Sequence, residues 1–384
     1  MGFDRAIHHQ LLNIVKMHLH ILIMALSALA CRKPVALVDT SDGWMSGADL
    51  SYVNEVEDAG AVFRKDGRSV DPYRLFADNG CRLVRLRLWH SPTINAYSGL
   101  EDVRRSIRRA KAAGMQVLLD FHYSDFWADP GRQDIPAAWK DVSDRVVLGD
   151  SLYQYTYRVL MSLHSDGLLP EMVQTGNEIN GEILQPAGRM PAITDWSRKA
   201  YLLKRALSAV KDASVAAGKP MSTMLHIAQP EHAMPWLKAA AAEGLTAFDL
   251  VGLSYYPLWS KVTMDSLSGR LRTIVDTYGK PVMIVETAYP HTLSNADAAG
   301  NILGDAALLL GMPATPQGQL EYLRRLTTAV RSGGGNGIVY WEPAWVSSTA
   351  KTAWGTGSHW DNATFFDASR GNEVLPSIGY FRLY

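Results

Sequence analysis

Short apolar runs alternate with amphipathic stretches along most of the chain, and this alternation is the strongest structural signal in the sequence. Each apolar run holds about four to eight residues, is rich in branched aliphatic side chains and ends at turn-forming residues, which is typical of a buried parallel strand. Eight strands are predicted in this way. They are Met45–Tyr52, Cys81–Trp89, Gln116–Tyr123, the run within Glu171–Asn180, Met221–Ala228, Asp249–Tyr256, the run within Pro281–Pro290, and Gly337–Trp345.

Amphipathic stretches that end at glycine or at a turn follow these strands and predict helices. The predicted helices are Pro72–Asn79, Glu101–Ala113, Ser151–Ser165, Trp196–Ala217, Pro235–Ala242, Met264–Tyr278 and Pro316–Ser332. Regular alternation of strand and helix predicts an α/β fold with a single (β/α)₈ TIM barrel. A doubly wound open sheet is the alternative, but the phosphate-binding fingerprint expected in its first turn is missing.

The second predicted strand, Cys81–Trp89, has charged side chains at every other position. Aliphatic residues alternate from Val84 to Leu88, and Arg85 and Arg87 occupy the positions between them. Because successive side chains of a strand point to opposite faces, the aliphatic residues should meet the outer helices and the arginines the barrel interior. Buried arginines are costly unless carboxylates or a ligand meet them. The pattern therefore predicts acidic partners inside the barrel.

Two glutamates end predicted strands and form the most informative pair in the sequence. Glu178 follows Asn177 at the end of the fourth strand, and Glu286 ends the seventh. Active sites of (β/α)₈ barrels lie at the carboxyl ends of the strands, and a carboxylate pair is the equipment of glycoside hydrolysis. The alternative for each glutamate alone is a surface ion pair at the end of an element.

Other polar or aromatic side chains occupy the same ends of successive strands. They are Arg85, Arg87, His122, Asn177, Tyr255, Tyr256 and Trp341. The chain has no GxSxG, HExxH, P-loop or CxxC motif, which removes support for serine hydrolase, zinc protease, nucleotide-binding and redox functions. The 384 residues carry no net charge, so nothing in the charge balance favours nucleic acid or an anionic membrane as partner. Eleven Trp and sixteen Tyr supply flat rings, which sugar-binding clefts also use.

The amino-terminal region has the pattern of an export signal. Basic residues precede the apolar segment Leu19–Ala30, which is typical of a secretory signal and too short to span a bilayer comfortably. Ala28–Cys31 resembles a bacterial lipoprotein processing site, which would make Cys31 the lipidated residue; simple cleavage near Ala30 is the alternative. We predict a signal or lipoprotein segment at 1–31, a linker at 32–43 and the barrel domain at 44–384. The protein is then exported, and either lipid-anchored at a bacterial membrane or secreted.

Seven sequence blocks stand in order along the chain: GADLSYVNEVEDAG (Gly47–Gly60), VRLRLW (Val84–Trp89), DFHYSDFWADPG (Asp120–Gly131), TGNEIN (Thr175–Asn180), GLSYYP (Gly252–Pro257), VETAYP (Val285–Pro290) and YWEPAW (Tyr340–Trp345). Together they resemble glycoside hydrolase family 53, the arabinogalactan endo-β-1,4-galactanases. The resemblance extends from about residue 44 to the carboxyl terminus. It implies an endo-acting, retaining hydrolase of β-1,4-galactan side chains of pectin. Another retaining β-1,4-glycanase of the clan (mannanase, xylanase) is the alternative, and a non-catalytic glycan-binding lipoprotein is a more distant one.

The resemblance also implies roles for individual residues. Glu178 would be the general acid/base and Glu286 the nucleophile. The other implied sugar-site residues are Arg85 and Tyr256 (holding Glu286), Asn177 (contacting the sugar 2-hydroxyl), His122 and Trp341 (shaping the subsite at the scissile bond), and Trp127 and Trp345 (sugar platforms). Packing in the core is the alternative for Trp345, and a structural interior arginine is the alternative for Arg87.

No cofactor is expected. Some relatives bind calcium in an acidic loop after the seventh strand, but the corresponding loop here, His291–Gly304, offers only Asp297 with Asn295 and Asn301. Hard cations need six or more oxygen ligands, usually including several carboxylates. We therefore predict no metal site, with β-1,4-galactan as the partner and membrane attachment only through Cys31.

Overall fold

A closed barrel of eight parallel strands forms the centre of the computed structural model, which describes residues 43–384. Neighbouring strands in sequence are neighbours in the barrel, and the last strand pairs with the first. The strands are β1 (Met45–Asp49), β2 (Leu83–Leu88), β3 (Gln116–Phe121), β4 (Met172–Thr175), β5 (Ser222–Ala228), β6 (Leu250–Ser254), β7 (Val282–Glu286) and β8 (Gly337–Tyr340). The predicted TIM barrel is confirmed.

Helices cover the outside of the barrel in the part of the chain that the structure describes. They are α1 (Val53–Asp58), α2 (Pro72–Asp78), α3 (Leu100–Ala112), α4 (Arg145–Ser165), α5 (Trp196–Ala217), α6 (Pro230–Ala242), α7 (Met264–Tyr278) and α8 (Pro316–Ser332). The first turn of α5 is capped by Asp195, whose carboxylate accepts from the amide of Arg198, and the helix ends at Gly218 in the left-handed conformation. These start and stop signals account for the accurate prediction of α5.

Two predicted helices have the wrong start. The prediction at Ser151 is six residues late, since α4 begins at Arg145 and is capped by the Asp144 carboxylate. The prediction at Pro235 took this proline as the first residue of a helix, but α6 begins at Pro230 and contains Pro235 in its interior. In addition, the first strand, predicted as Met45–Tyr52, already ends at Asp49, and helix α1, which was not predicted, begins at Val53.

The barrel interior has an apolar layer and a polar layer. Its apolar layer is one cluster of inward-facing side chains: Leu83, Leu118, Met172, Met224, Leu250, Met283, Val285 and Val339. A Cβ atom at Gly252 would lie only 2.7 Å from the sulfur of Met224, so the glycine makes room for the methionine side chain in this layer. Toward the carboxyl ends of the strands the interior becomes polar, beginning with Arg85 and Gln174. The apolar layer therefore supports a polar site at the mouth of the barrel.

The predicted export segment 1–31, including Cys31, and the linker 32–43 apart from Gly43 lie outside the described residues. Between residues 43 and 384 no helix combines the length and the apolar character needed to cross a membrane. A small hairpin, Lys351–Thr352 with Gly355–Thr356, extends from the loop after β8 toward the barrel mouth. This hairpin carries Trp354, which contributes to the cavity described next.

Candidate active site

A cavity of about 440 Å³ opens at the carboxyl ends of the barrel strands. Glu178, from the loop after β4, and Glu286, the last residue of β7, both line it. The other polar and aromatic lining residues are Trp127, Asp129, Asn177, Asn180, Gln229, His232, Tyr256, Trp259, Trp341, Trp345, Trp354, His359 and Trp360. A cleft with two acids and a wall of tryptophan rings is suited to a neutral, hydroxyl-rich ligand.

Glu286 is held by two donors, one on β2 and one just after the end of β6. Arg85 Nη1 lies 2.9 Å from Glu286 Oε1, and the hydroxyl of Tyr256 donates to Glu286 Oε2 at 3.2 Å. Both contacts favour the ionised carboxylate, as a nucleophile requires. The structure thus brings together Arg85, Tyr256 and Glu286, which the sequence had placed on three different strands.

Arg85 is the centre of the polar layer. Its Nη1 lies 2.9 Å from Asp49 Oδ2, and its Nη2 donates to Asp120 Oδ2 at 2.8 Å and to Asn177 Oδ1 at 2.7 Å. The carboxylates of Asp49 and Asp120, together with Glu286, compensate the cost of burying this guanidinium. The acidic partners predicted for the arginine row are therefore present, although the sequence analysis did not name Asp49 or Asp120.

Arg87 has a different environment. Its Nη1 pairs with Glu342 Oε1 at 3.2 Å, and its guanidinium lies over the rings of Trp127 and Tyr52, 4.2 and 4.6 Å from their centroids. Burial raises the pKa of Glu342 well above the ordinary range of a carboxyl group. These contacts support the structural alternative for Arg87, because its guanidinium positions the ring of Trp127 rather than Glu178 or Glu286.

Glu178 has a left-handed backbone, with φ at +45°. This conformation is uncommon for a residue with a side chain and is maintained only when the surroundings impose it. The hydroxyl of Ser254 donates to Glu178 Oε1 at 2.5 Å. A register shift between Leu253 and Ser254 pairs Ser254 with Glu286 on β7. Ser254 therefore links the two acids: it bonds to one and is the strand neighbour of the other.

The sequence analysis missed Ser254 and His226. His226 Nε2 lies 2.9 Å from the hydroxyl oxygen of Ser254, and its Nδ1 lies 2.9 Å from Asn177 Oδ1. Burial and the charge of Arg85 lower the pKa of His226 well below its usual value, so the ring is neutral. Alternation along β5 puts His226 on the same face as the interior residue Met224, and this signal could have identified it.

Asn177 and His122 anchor the loop after β3. The amide of Asn177 donates to the carbonyl of Ala128 at 2.8 Å, and the backbone amide of Ala128 donates to His122 Nδ1 at 3.2 Å. His122 Nε2 lies 3.0 Å from Asp120 Oδ2. Among the described residues, His122 does not line the cavity itself. It supports the loop that carries Trp127, against whose ring it packs edge-on.

The tryptophans differ in how much surface they offer to a ligand. Trp345 is only 1% exposed and stacks on Tyr52 with 4.0 Å between ring centroids, which favours packing over a role as sugar platform. Trp127 and Trp341 are also mostly buried, although they line the cavity. Trp259 and Trp354, by contrast, are 48% and 49% exposed. The sequence analysis had not named these last two, because it gives no information on ring exposure.

Burial and mutual repulsion determine the protonation of the two acids. Burial raises the pKa of Glu178 above the ordinary range of a carboxyl group, and the hydrogen bond from Ser254 opposes this rise. Burial also raises the pKa of Glu286, against the opposing charge of Arg85. Two such carboxyl groups do not both ionise readily, so the pair retains one proton near neutral pH. Because Arg85 and Tyr256 both donate to Glu286, we place this proton on Glu178.

The loop His291–Gly304 corresponds to the calcium-binding loop of some relatives, and its polar side chains form hydrogen bonds within the protein. Asp297 Oδ2 accepts from the hydroxyl of Ser347 and from the amide of Ser358, and Asn295 Oδ1 accepts from the side chain of Asn301. Across residues 43–384 no group of three or more His, Cys, Asp or Glu side chains is arranged to hold a metal ion. The absence of a metal in the functional protein stays a prediction.

Comparison with known proteins gives concordant matches. The sequence model of the family described as "Glycosyl hydrolase family 53" matches residues 45–381. A protein of Cellvibrio japonicus named "Arabinogalactan endo-beta-1,4-galactanase" is 53% identical over 337 residues, which cover 88% of this chain and 90% of the relative. The "Endo-beta-1,4-galactanase" of Bacillus subtilis is 35% identical over 321 residues, covering 80% and 72% of the two chains.

A solved structure supports the same grouping. The structure described as "Ignisphaera aggregans GH53 catalytic domain" superposes with a TM-score of 0.81 at 32% sequence identity. The match covers 91% of this chain and 98% of that domain. Fold and sequence therefore point to the same family.

Proposed function

The chain belongs to glycosyl hydrolase family 53, and from this premise we propose that it is an endo-acting β-1,4-galactanase. Its substrate would be (arabino)galactan, as the names of its Cellvibrio and Bacillus relatives suggest. The family resemblance implies that this galactan belongs to side chains of pectin. The observation that carries the proposal is the pair Glu178 and Glu286 in one tryptophan-lined cavity, with Arg85 and Tyr256 on Glu286. This is the equipment for a double displacement with retention.

In the first step Glu178 protonates the glycosidic oxygen while Glu286 attacks the anomeric carbon. The bond to the leaving sugar breaks, and a galactosyl ester forms on Glu286. In the second step Glu178 takes a proton from water, which attacks the same carbon and releases Glu286. Retention needs the two carboxyl groups roughly 5–5.5 Å apart. The position of Ser254, bonded to Glu178 and paired with Glu286, supports such proximity.

We assign supporting roles to residues around the two acids. Asn177 would contact the hydroxyl next to the anomeric carbon, and its bonds to Arg85 and to the carbonyl of Ala128 support this role by fixing its side chain. Trp341 lines the cavity together with the two acids. The exposed ring of Trp354 offers a flat face to a sugar unit farther along the polysaccharide. The reaction requires no cofactor, and we expect EDTA to leave the rate unchanged.

A panel of linear polysaccharides tests the proposed substrate. The purified enzyme should release galactose oligomers from linear β-1,4-galactan, with sizes resolved by mass spectrometry, and the early products should be long because the enzyme cuts within chains. Mannan, xylan and cellulose serve as controls for the other glycanases of the clan. If one of these were cleaved in preference to galactan, the proposed substrate would be wrong. If the protein bound a polysaccharide but cleaved none, the proposed catalytic function would be wrong.

Ser254→Ala is expected to move the alkaline limb of the pH profile upward. The hydroxyl of Ser254 stabilises the ionised form of Glu178 and so lowers its pKa. The reaction needs Glu178 protonated, so kcat/KM falls as the pH rises through this pKa. Without the hydroxyl the proton is lost at higher pH, and we expect a shift of roughly 0.5–1 pH unit in kcat/KM on galactan.

Ser106→Ala provides the matched control for this measurement. Ser106 is a buried serine that accepts a hydrogen bond from Asn54 on the outer side of the barrel. Its removal changes a buried hydroxyl without touching Glu178, so the limb should stay at its wild-type position. An alkaline limb that is the same in Ser254→Ala as in wild type would mean that Glu178 is not the titrating acid.

We also propose that the protein is exported. The proposal is supported by the apolar segment Leu19–Ala30 and by the lipoprotein-like sequence Ala28–Cys31. Expression of the full chain in a bacterial host, followed by cell fractionation, tests it. A lipidated protein should be recovered with membranes and released by Cys31→Ser. Recovery of wild type outside the cell in free form would favour simple cleavage.

A further inference from the structure

Lys199 is a fully buried lysine in the first turn of α5, directly behind the loop that carries Glu178. Its Nζ donates to the carbonyl of Ile179 at 2.8 Å and to the carbonyl of Asn180 at 3.3 Å. These are the two residues that follow Glu178 in the chain. A buried ammonium group thus reaches the backbone next to the acid without touching its carboxylate.

Two tryptophans enclose this ammonium. Lys199 Nζ lies 4.4 Å from the ring centroid of Trp196 and 4.9 Å from that of Trp236, which are favourable cation–π distances. Burial lowers the pKa of Lys199 to about 7, and the charge of Glu182, which itself pairs at 2.9 Å with Arg198, opposes this shift. The main polar contacts of the lysine are therefore the two loop carbonyls.

The loop needs such support because its backbone is strained. Glu178 has φ at +45°, two residues after Gly176 with φ at +97°. The side chain of Asn180 ties the far side of the loop to the backbone of Ala228 on β5. The indole of Trp236 donates to the same Ile179 carbonyl that Lys199 contacts. Strained conformations persist only where several contacts fix them, and here those contacts come from β5, α5 and α6.

We propose that Lys199 is a positioning residue for the general acid/base: its bonds to the Ile179 and Asn180 carbonyls hold Glu178 in the left-handed conformation that directs the carboxyl into the cavity. This inference rests on the proposed glycosidase function. It predicts an effect on proton donation to the leaving group and no direct effect on attack by Glu286, since Glu286 is held by other residues, Arg85 and Tyr256.

The alternative is that Lys199 only fills space in the core, but space-filling does not explain why the residue is a lysine. Methionine has nearly the same shape and would fill the space between Trp196 and Trp236 without the desolvation cost of an ammonium group. A lysine at this position provides something that methionine lacks, which is directional donation to two carbonyl oxygens. Lys199→Met is therefore the variant that separates packing from positioning.

The test compares the kcat/KM of Lys199→Met with that of wild type on two substrates. Galactan has a poor leaving group and needs the acid, whereas a β-1,4-galactobioside of 2,4-dinitrophenol has a good one and does not. Because kcat/KM reports the steps up to formation of the galactosyl enzyme, we expect a loss of roughly 10- to 100-fold on galactan. The loss on the dinitrophenyl substrate should stay below about threefold.

Lys280→Met is the matched control. Lys280 also donates to a backbone carbonyl, that of Phe248, and lies over its ring, but it does so at the opposite end of the barrel. Its substitution should affect both substrates equally or neither. Should Lys199→Met not fold, Trp236→Phe, which removes the second donor to the Ile179 carbonyl, is judged by the same substrate ratio.

Equal losses on both substrates, or no loss, would overturn the positioning role. Failure of the proposed function is distinguishable, because wild type would then be inactive on galactan and active on another polysaccharide. In that case the same comparison is made with that polysaccharide and its dinitrophenyl glycoside.

Discussion

Glu286→Ala is expected to reduce kcat on galactan by roughly 10⁵-fold or more, the scale on which enzymes with covalent intermediates depend on their nucleophile. Without this carboxylate no galactosyl ester can form. Turnover is measured as reducing ends released from linear galactan. Near-normal activity in this variant would show that Glu286 is not the nucleophile.

The variant should fold, so that its inactivity can be attributed to the chemistry. Arg85 retains Asp49 and Asp120 after the loss of Glu286, and its charge remains paired. Burial already disfavours the ionised form of Glu286, so removal of the group relieves a desolvation cost. We expect a melting temperature close to that of wild type.

Azide provides a positive signal for the same variant. With the dinitrophenyl galactobioside as substrate, azide can enter the space left by Glu286 and attack the anomeric carbon from the face that the carboxylate had used. One inversion then gives the α-galactosyl azide. A β-configured product would contradict the assignment of Glu286.

The barrel could be predicted from the sequence because its strands are short apolar runs separated by helices with clear stop signals. The residues at which the strands end could not be predicted in this way. Leu50, Tyr52 and Val53 are as buried as the strand residues before them, since they pack in the outer core, so the hydrophobic pattern continues past the point where β1 ends. Hydrophobicity reports burial, and burial does not distinguish a strand from the buried segment after it.

The two acids could also be identified from the sequence, because each stands at the end of an apolar run. Their partners could not be. Ser254 reaches Glu178 only because the barrel closes and brings the end of β6 next to the loop after β4. Lys199 has the helical context of an ordinary surface lysine, and its burial depends on how α5 packs against the loop. Such contacts arise from tertiary packing and have no local signature.

Glu178→Ala is expected to show a loss that depends on the substrate. General acid catalysis contributes about 10²- to 10⁴-fold, so kcat/KM on galactan should fall by that amount. On the dinitrophenyl galactobioside kcat/KM should stay within a few-fold of wild type, since this leaving group needs no proton. On galactan the alkaline limb, which reports the proton on Glu178, should disappear from the pH profile of the residual activity.

Azide distinguishes this variant from Glu286→Ala by the configuration of the product. In Glu178→Ala the nucleophile is intact, so azide attacks the galactosyl ester from the face where water normally enters, and two inversions give the β-galactosyl azide. Lys199→Met should show the same substrate selectivity with a smaller loss, because it displaces the acid and does not remove it. If Glu178→Ala lost galactan and dinitrophenyl activity to the same extent, Glu178 would be required for more than proton transfer, and the division of roles between the two acids would be wrong.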